Sequence, residues 1–439
     1  MKNFKTITAI AIAAALTIGL TACASATRND VTGTVTSGAE NQNSSNTQNG
    51  SNSQGNENSN TNTNSGNATN TSSTTSDSDE MFTERDLLQT ADLTEAKTIT
   101  VTSGEDVTIT EAGVYILSGT ATDVTITVNA TGEKDKVQLV LNGLEITNTD
   151  APAIYIKTAD KVFITTAEGT ENTLKTTGTF VADGETNLDA VIYSKDDLVL
   201  NGLGTLNIES TKGNGVSCKD DLKVTGGTYI ISCAEDALEA NDSIRVSDGT
   251  FTINTSKDAL HCENDEDNTV GYIYISGGSF NITAKSDGIQ AITTVTIDGG
   301  TLNITASEGI EATHIVINNG TVNINASDDG INASRKTTSE NILIELNGGD
   351  ITIVMGQGDT DAVDSNGSIV VTGGNINITA QTSSFDYDVS GTITGGTVIV
   401  NGQQITEMPN QMMGPGGQGG FNPGGQGGQF PGGQGGGRR

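Results

Sequence analysis

GGSFNITAKSDGIQA (277–291), GGTLNITASEGIEA (299–312) and NGTVNINASDDGINA (319–333) are three versions of one unit. Each opens on a turn glycine (Gly278, Gly300, Gly320) and sets apolar residues two and four positions later: Phe280 and Ile282, Leu302 and Ile304, Val322 and Ile324. That period of two describes a short strand with one buried face. A small residue, an acidic corner (Asp287, Glu308, Asp329), an isoleucine and an alanine (Ala291, Ala312, Ala333) follow, and a second strand such as HIVI leads to the next glycine. A unit this short cannot bury its own face, so successive units must stack and share a continuous core. The pattern predicts an all-β chain folded as a single parallel β-helix, a solenoid.

The same glycine recurs at Gly227, Gly249, Gly278, Gly300, Gly320, Gly349, Gly374 and Gly396. Two positions on stand Tyr229, Phe251, Phe280, Leu302, Val322, Ile351, Ile376 and Val398, and four positions on stand Ile231, Ile253, Ile282, Ile304, Ile324, Ile353, Ile378 and Val400. Two inward ladders therefore run through these repeats. Upstream, strands are expected at 107–109, 114–117, 124–128, 137–141, 153–156, 162–164 and 191–193, and the recurrence of LVLNG at 139–143 and 198–202 places them in the same register. At about 22 residues per repeat the span 98–400 holds on the order of a dozen repeats, roughly 60 Å of stacked strands. Met81–Glu95 reads as a short helix capping the open end of the core.

The ends differ from this region. Residues 1–22 have two early lysines, an apolar run and the closing Leu20-Thr21-Ala22-Cys23. They read as a secretory signal, too short for a comfortable membrane span. The closing tetrapeptide resembles a bacterial lipobox, which makes Cys23 the expected lipidation site and membrane anchor; an ordinary cleaved signal is the alternative. Residues 23–80, almost all Ser, Asn, Thr, Gly and Gln, lack the apolar surface that offsets ordering entropy and read as a disordered tether. Residues 81–404 form the expected folded domain and 405–439 a disordered Gly/Gln/Pro-rich tail. The predicted location is extracellular, held at the bacterial surface by the lipid anchor.

With 21 basic against 54 acidic residues the formal net charge is −33. Nucleic acid is excluded as a partner, because too few cations are present to replace its counterions. Cys218, Cys233 and Cys262 fall on inward ladders and read as small buried hydrophobes. Two repeats, about 9.6 Å, separate Cys218 from Cys262, which is too far for a disulfide. A monomer is expected.

The chemistry lies on the acidic corner. Asp236, Asp258, Asp287, Glu308, Asp329 and Asp361 stack, and three residues after each come Glu239, His261, Gln290, Glu311, Asn332 and Asp364. Stacking sets equivalent residues about 4.8 Å apart. Like charges at that distance repel unless a cation neutralises them or some are protonated. Oxygen ligands without thiolates or paired histidines favour calcium. The candidate metal ligands are Asp236, Glu239, Asp258, Asp287, Glu308, Glu311, Asp329, Asp361 and Asp364, with Asp236/Glu239 and Glu308/Glu311 the best furnished pairs. The plainer alternative is that each Asp-Gly makes a tight corner whose carboxylate bonds backbone amides. Insertions at 263–268 (ENDEDN) and 334–341 (SRKTTSEN) leave at the same corner, as insertions beside a binding face do. The first is either a calcium loop or a solvated one.

Residues 137–174 (VQLVLNGLEITNTDAPAIYIKTADKVFITTAEGTENTL), 192–208 (IYSKDDLVLNGLGTLNI) and the repeated GGT-x-x-I…DGI-x-A resemble the clostridial-type carbohydrate-binding β-helix proteins over about 81–400. That resemblance implies a right-handed helix of the pectate-lyase kind with bound calcium. It also implies a non-catalytic cell-surface role in binding polysaccharide: acidic sugars such as polygalacturonate, with cellulose as a second candidate. The chain keeps Asp-Gly-Ile at 287 and 329 and departs from it at 236, 258, 308 and 361. Calcium bridging is the natural way for so acidic a protein to hold a polyuronate. Cellulose is usually gripped by exposed aromatics, and this chain has no Trp and 4% aromatic residues. Lys257, Lys285 and Arg335, beside the acidic ladder, are the candidate ligand-binding cations. They are also the candidate bases if the protein is instead a calcium-dependent lyase acting by β-elimination. Lys257 and Lys285 adjoin aspartates, which hold them protonated and make poor bases of them. A structural or adhesive surface rod is the third reading.

Overall fold

The computed structural model describes residues 81–132, 134–358 and 360–409. Cys23, the signal and tether segments and most of the Gly/Gln/Pro tail lie outside the described residues. Among the described residues every regular element is a strand and none is a helix. Each strand pairs in parallel with its equivalents one repeat before and after, and only the last pair, Thr397–Val400 with Gln403–Ile405, is antiparallel.

Three rows of strands result. The first precedes the turn glycine (Thr294–Ile297, His314–Ile317, Leu343–Leu346), the second follows it (Ser279–Thr283, Thr301–Ala306, Thr321–Ala326), and the third carries the acidic corner (Asp287–Ala291, Glu308–Ala312, Asp329–Ala333). Long strands such as Lys136–Asn148 and Asp221–Cys233 run from the first row into the second, joining these two into one 22-stranded sheet. The third row is a separate sheet of twelve strands, from Val107–Ile109 to Asp386–Tyr387.

Both inward ladders are present. Phe251 pairs with Tyr229 and Phe280, Ile253 with Ile231 and Ile282, and all six are 3% exposed or less. Stacking one aromatic on another at strand spacing puts the Phe251 and Phe280 rings 4.4 Å apart and 3° from parallel, with Tyr229 5.3 Å from Phe251. One apolar cluster runs from Val101 to Met408 and includes the three described cysteines, all free. The turn glycine is required by its backbone: Gly300 has φ of +90°, and a Cβ there would sit 3.0 Å from the Gly278 carbonyl. At the acidic corner, a Cβ on Gly330 would meet the Ala362 carbonyl oxygen at 2.3 Å. The fully buried Ala237, Ala259 and Ala362 hold the same corner position elsewhere, so departures from Asp-Gly-Ile stay within a demand for a small inward residue.

Two expectations are corrected. The LVLNG copies share a row but not a register. Leu198 pairs with Val162, which pairs with Val137, so the second copy is offset by two residues from the first. A shift of two keeps every side chain on its face, which is why sequence alone does not reveal it. Met81–Glu95 is not a capping helix. It runs as turns across the outside of the first row, far from the start of the core.

Packing explains that course. The Asp86 side chain, 0% exposed, lies between Lys223 at 3.2 Å and Lys161 at 3.6 Å. Arg85 stands 4.6 Å over the Phe163 ring, Phe82 packs on Tyr274, and Gln89 bonds Thr225 and Gly202. Burial alone pushes the Asp86 carboxyl upward, but the Thr83 amide and the two ammonium groups hold it below its ordinary value. These contacts are made by side chains rather than by ladder bonds, so the strap is a separately released unit.

Phe251→Ala removes the middle ring of the stack and is expected to cost roughly 3–5 kcal/mol, read by urea unfolding. Asp86→Ala leaves the buried Lys223 and the largely buried Lys161 without their shared partner, a change worth about 3 kcal/mol. Hydrogen exchange of residues 82–90 should accelerate on the order of a hundredfold while the stacked strands keep their protection. Unchanged exchange in the strap would show that Asp86 does not hold it.

Candidate functional site

The third row aligns the acids as predicted from their spacing. Asp287 pairs with Glu308 and Asp329 with Asp361. The second column runs Glu239, His261, Gln290, Glu311, Asn332, Asp364 and on to Asp386. Upstream it continues as Ser217, Tyr193 and Tyr155.

Backbone amides occupy part of the first column. The Asp236 amide donates to Asn214 Oδ1 (2.8 Å), the Asp258 amide to Asp236 Oδ1 (2.9 Å), the Asp287 amide to Asp258 Oδ1 (2.8 Å) and the Asp361 amide to Asp329 Oδ1 (3.2 Å). The bonded amide belongs to the next repeat, so Asn214 and the carboxylates of Asp236, Asp258 and Asp329 each fasten two repeats together through one oxygen.

Charge compensation divides the columns. At the upstream end Asp236 receives Lys257 Nζ (2.8 Å) and faces His261 Nδ1 (3.3 Å), while Glu239 receives Lys219 (3.2 Å) and the Asn214 amide group (2.6 Å). Burial raises the Asp236 carboxyl, yet His261 and Lys257 together hold it below the ordinary carboxylate range. Glu311 is held low in the same way against its burial, by Lys336 at 2.6 Å and by Gln290 and Ser334.

Among the described residues no cation pairs with Asp287, Glu308, Asp329 or Asp364. Burial first, then the charges of Asp258, Glu308 and Glu311, push Asp287 to about 8. Burial and Glu308 push Asp329 to about 7, and burial with Asp361 and Asp386 pushes Asp364 to about 6. Glu308 is also raised, chiefly by burial, although Asn332 Nδ2 donates to it at 3.0 Å. Asn332 Oδ1 is buried and meets no hydrogen-bond donor. An orphaned acceptor among raised carboxyls is an environment that lacks positive charge. Its donor set, all oxygen, fits calcium.

Of the cations singled out from sequence, only Lys257 lies on a column acid. Lys285 is exposed and bonds Ser256 Oγ at 3.3 Å, Arg335 is exposed over the Thr337 carbonyl at 3.5 Å, and among the described residues neither forms an ion pair. The next residue, Lys336, was not singled out and reaches Glu311. The two insertions touch one another: Thr337 Oγ1 and Ser339 Oγ donate to the Asn268 carbonyl at 2.8 and 2.7 Å. They form one bank beside the third row.

The second row presents a contrasting surface. Its outward residues over four repeats are Thr250, Thr252 and Asn254; Ser279, Asn281 and Thr283; Thr301, Asn303 and Thr305; and Thr321, Asn323 and Asn325. All are uncharged. Amide groups bond along it, Asn323 to Asn303 at 3.0 Å and Asn303 to Asn281 at 3.2 Å. The polar half of the alternation, T-x-N-x-T at 301–305, carried this signal in the sequence.

A family model described as "Carbohydrate-binding domain-containing protein" matches residues 103–360. A protein of Acetivibrio thermocellus with the same description is 40% identical over 131 residues, which are 29% of this chain and 46% of that protein. The chain thus matches about half the length of that curated relative. A solved structure described as a polysaccharide lyase-like protein from C. thermocellum, gadolinium derivative, shares 31% sequence identity at a TM-score of 0.46, covering 52% of this chain and 96% of its own.

Asp287 binds its proton more tightly in the folded than in the unfolded chain, so its contribution to stability is fully present below the ordinary carboxylate pKa and is lost as pH rises through about 8. Between about pH 5 and pH 9, without divalent cations, the protein should lose stability, and Asp287→Asn should lose ~3 kcal/mol less. Urea unfolding at the two pH values measures the difference. Equal pH dependence in both proteins contradicts the assignment.

Proposed function

Because this chain belongs to the family of carbohydrate-binding domain-containing proteins, we propose that it is a non-catalytic cell-surface protein that binds acidic polysaccharide through calcium ions held on the third row. Its stacked parallel strands are read as a single right-handed β-helix. The observation that carries this reading is the stretch Asp287, Glu308, Asp329, Asp361 and Asp364, in which four acids, Asp287, Glu308, Asp329 and Asp364, are pushed upward and Asn332 Oδ1 stands without a donor.

Calcium takes six to eight oxygens. Among the described residues, the one set in which three acid, histidine or cysteine ligand atoms approach within 4.8 Å is Asp236, Asp258 and His261. The remaining column acids therefore offer incomplete shells. An incomplete shell leaves coordination positions for the carboxylates of a polyuronate, so one ion joins two chains that would otherwise repel at a formal net charge of −33.

The uncharged stretch of the second row, over the four repeats from Thr250 to Asn325, is the surface suited to a neutral glucan such as cellulose, with hydroxyl and amide groups in place of aromatic platforms. A lyase requires an unprotonated base beside the calcium. Lys257 holds its proton more tightly than usual, because Asp236 outweighs the opposing effect of burial. Anchoring through a lipidated Cys23 and a monomeric state complete the reading.

Pull-down of the full chain on polygalacturonate, with calcium and then with a chelator, tests it while absorbance of unsaturated product is followed in the ultraviolet. Retention that needs calcium, without rising absorbance, is expected, and Asp329→Asn combined with Asp364→Asn should weaken it at least about tenfold. Binding that survives the chelator refutes calcium bridging. Rising absorbance makes the protein a lyase.

A further inference from the structure

Upstream of that stretch, one part of the third row differs in its chemistry. We propose that Asp236, Asp258 and His261 form a site for a transition-metal dication of the zinc class, separate from the calcium-binding carboxylates. The inference does not rest on the sugar reading, and its probe is the metal alone.

The ligand atoms are selected by what binds their other ends. Asp236 Oδ1 accepts the Asp258 amide at 2.9 Å and Asp258 Oδ1 accepts the Asp287 amide at 2.8 Å, which leaves each Oδ2 on the side of His261. On the far side of the imidazole, Nε2 lies 3.2 Å from Glu263 Oε2, a carboxylate that would hold the Nε2 proton while a metal displaced the proton from Nδ1 and took its lone pair. Nδ1 lies 3.3 Å from Asp236 Oδ2 and 4.0 Å from Asp258 Oδ2, and the three offered atoms fall within 4.8 Å of one another. Tetrahedral zinc with bonds of about 2.0–2.1 Å holds its ligand atoms roughly 3.3 Å apart. The longest separation thus closes by at most about 1.5 Å on that geometry.

An imidazole nitrogen among hard oxygens shifts preference from calcium toward zinc, cobalt or nickel. Three protein ligands leave a position for water. The rim is charged on every side: Lys257 lies on Asp236 Oδ2, Glu235 lies 4.0 Å from Lys257, and the amide-held Glu239 is the register neighbour of His261. Lys257, 47% exposed, now occupies the oxygen a metal requires and is free to swing into solvent. It is the competitor for the site.

The test is titration of chelator-stripped full chain with cobalt(II), following the visible ligand-field bands. One equivalent should bind, with bands abolished by zinc and untouched by excess calcium. His261→Gln should remove them; it is a benign change, since Gln290 fills the same register position one repeat later. Lys257→Met should tighten binding about tenfold by removing the competing charge. The chain has two histidines, and His314, paired with Glu345 on the first row, supplies the control: His314→Gln should change nothing. Absent bands, bands that survive His261→Gln, or bands displaced by calcium would each overturn the site.

Discussion

Parallel pairing in register sets each residue of a repeat directly over its equivalent at about 4.8 Å. The energetic consequence depends on what is repeated. For Tyr229, Phe251 and Phe280 it produces a continuous ring stack in the core. For Asn281, Asn303 and Asn323 it produces a chain of amide hydrogen bonds. For two carboxylates it produces repulsion of about 3.5 kcal/mol at an effective dielectric near 20. The geometry that builds the core thus also builds the charge problem on the third row.

That problem is met differently along the row. Upstream, cations of the chain itself, Lys219, Lys257 and His261, sit on the acids. At Glu311 the neutralising ammonium comes from a loop, through Lys336. At Asp287, Glu308, Asp329 and Asp364 no cation pairs among the described residues, and burial, with the neighbouring acids, raises the pKa values. A proton and a calcium ion are then alternative solutions to one deficit. A proton neutralises a single carboxyl, whereas a dication serves two and still has coordination positions left for a ligand.

Legibility in the sequence followed from how local each constraint was. The glycine-plus-two and glycine-plus-four ladders and the stacking of the acids rest on a period of two and a required positive φ, both written in neighbouring residues. The offset of the two LVLNG copies was hidden, because register there is decided by pairing with an intervening strand, Lys161–Thr166, that lacks the motif. The strap, expected as a capping helix, has no such local constraint. Its path is decided by Asp86 reaching lysines 75 and 137 residues away. The choice of Arg335 over Lys336 failed for a related reason: within an irregular loop, which of two adjacent cations turns back to Glu311 is set by loop geometry alone.

In a stacked repeat the columns leave little freedom, since a residue's position fixes its face and its neighbours above and below. Novelty therefore enters where the repeat is broken. The insertions at 263–268 and 334–341 are separated by two intervening repeats, yet they meet through Asn268, Thr337 and Ser339. One supplies Glu263 to His261 and the other supplies Lys336 to Glu311. Lys336 thus brings to the acidic row a charge that its own periodicity does not place there, and Glu263 brings a carboxylate from outside the two columns. A column of repeated acids makes an undifferentiated strip of negative charge; the two loops turn that strip into sites that differ in charge and ligand chemistry from one repeat to the next.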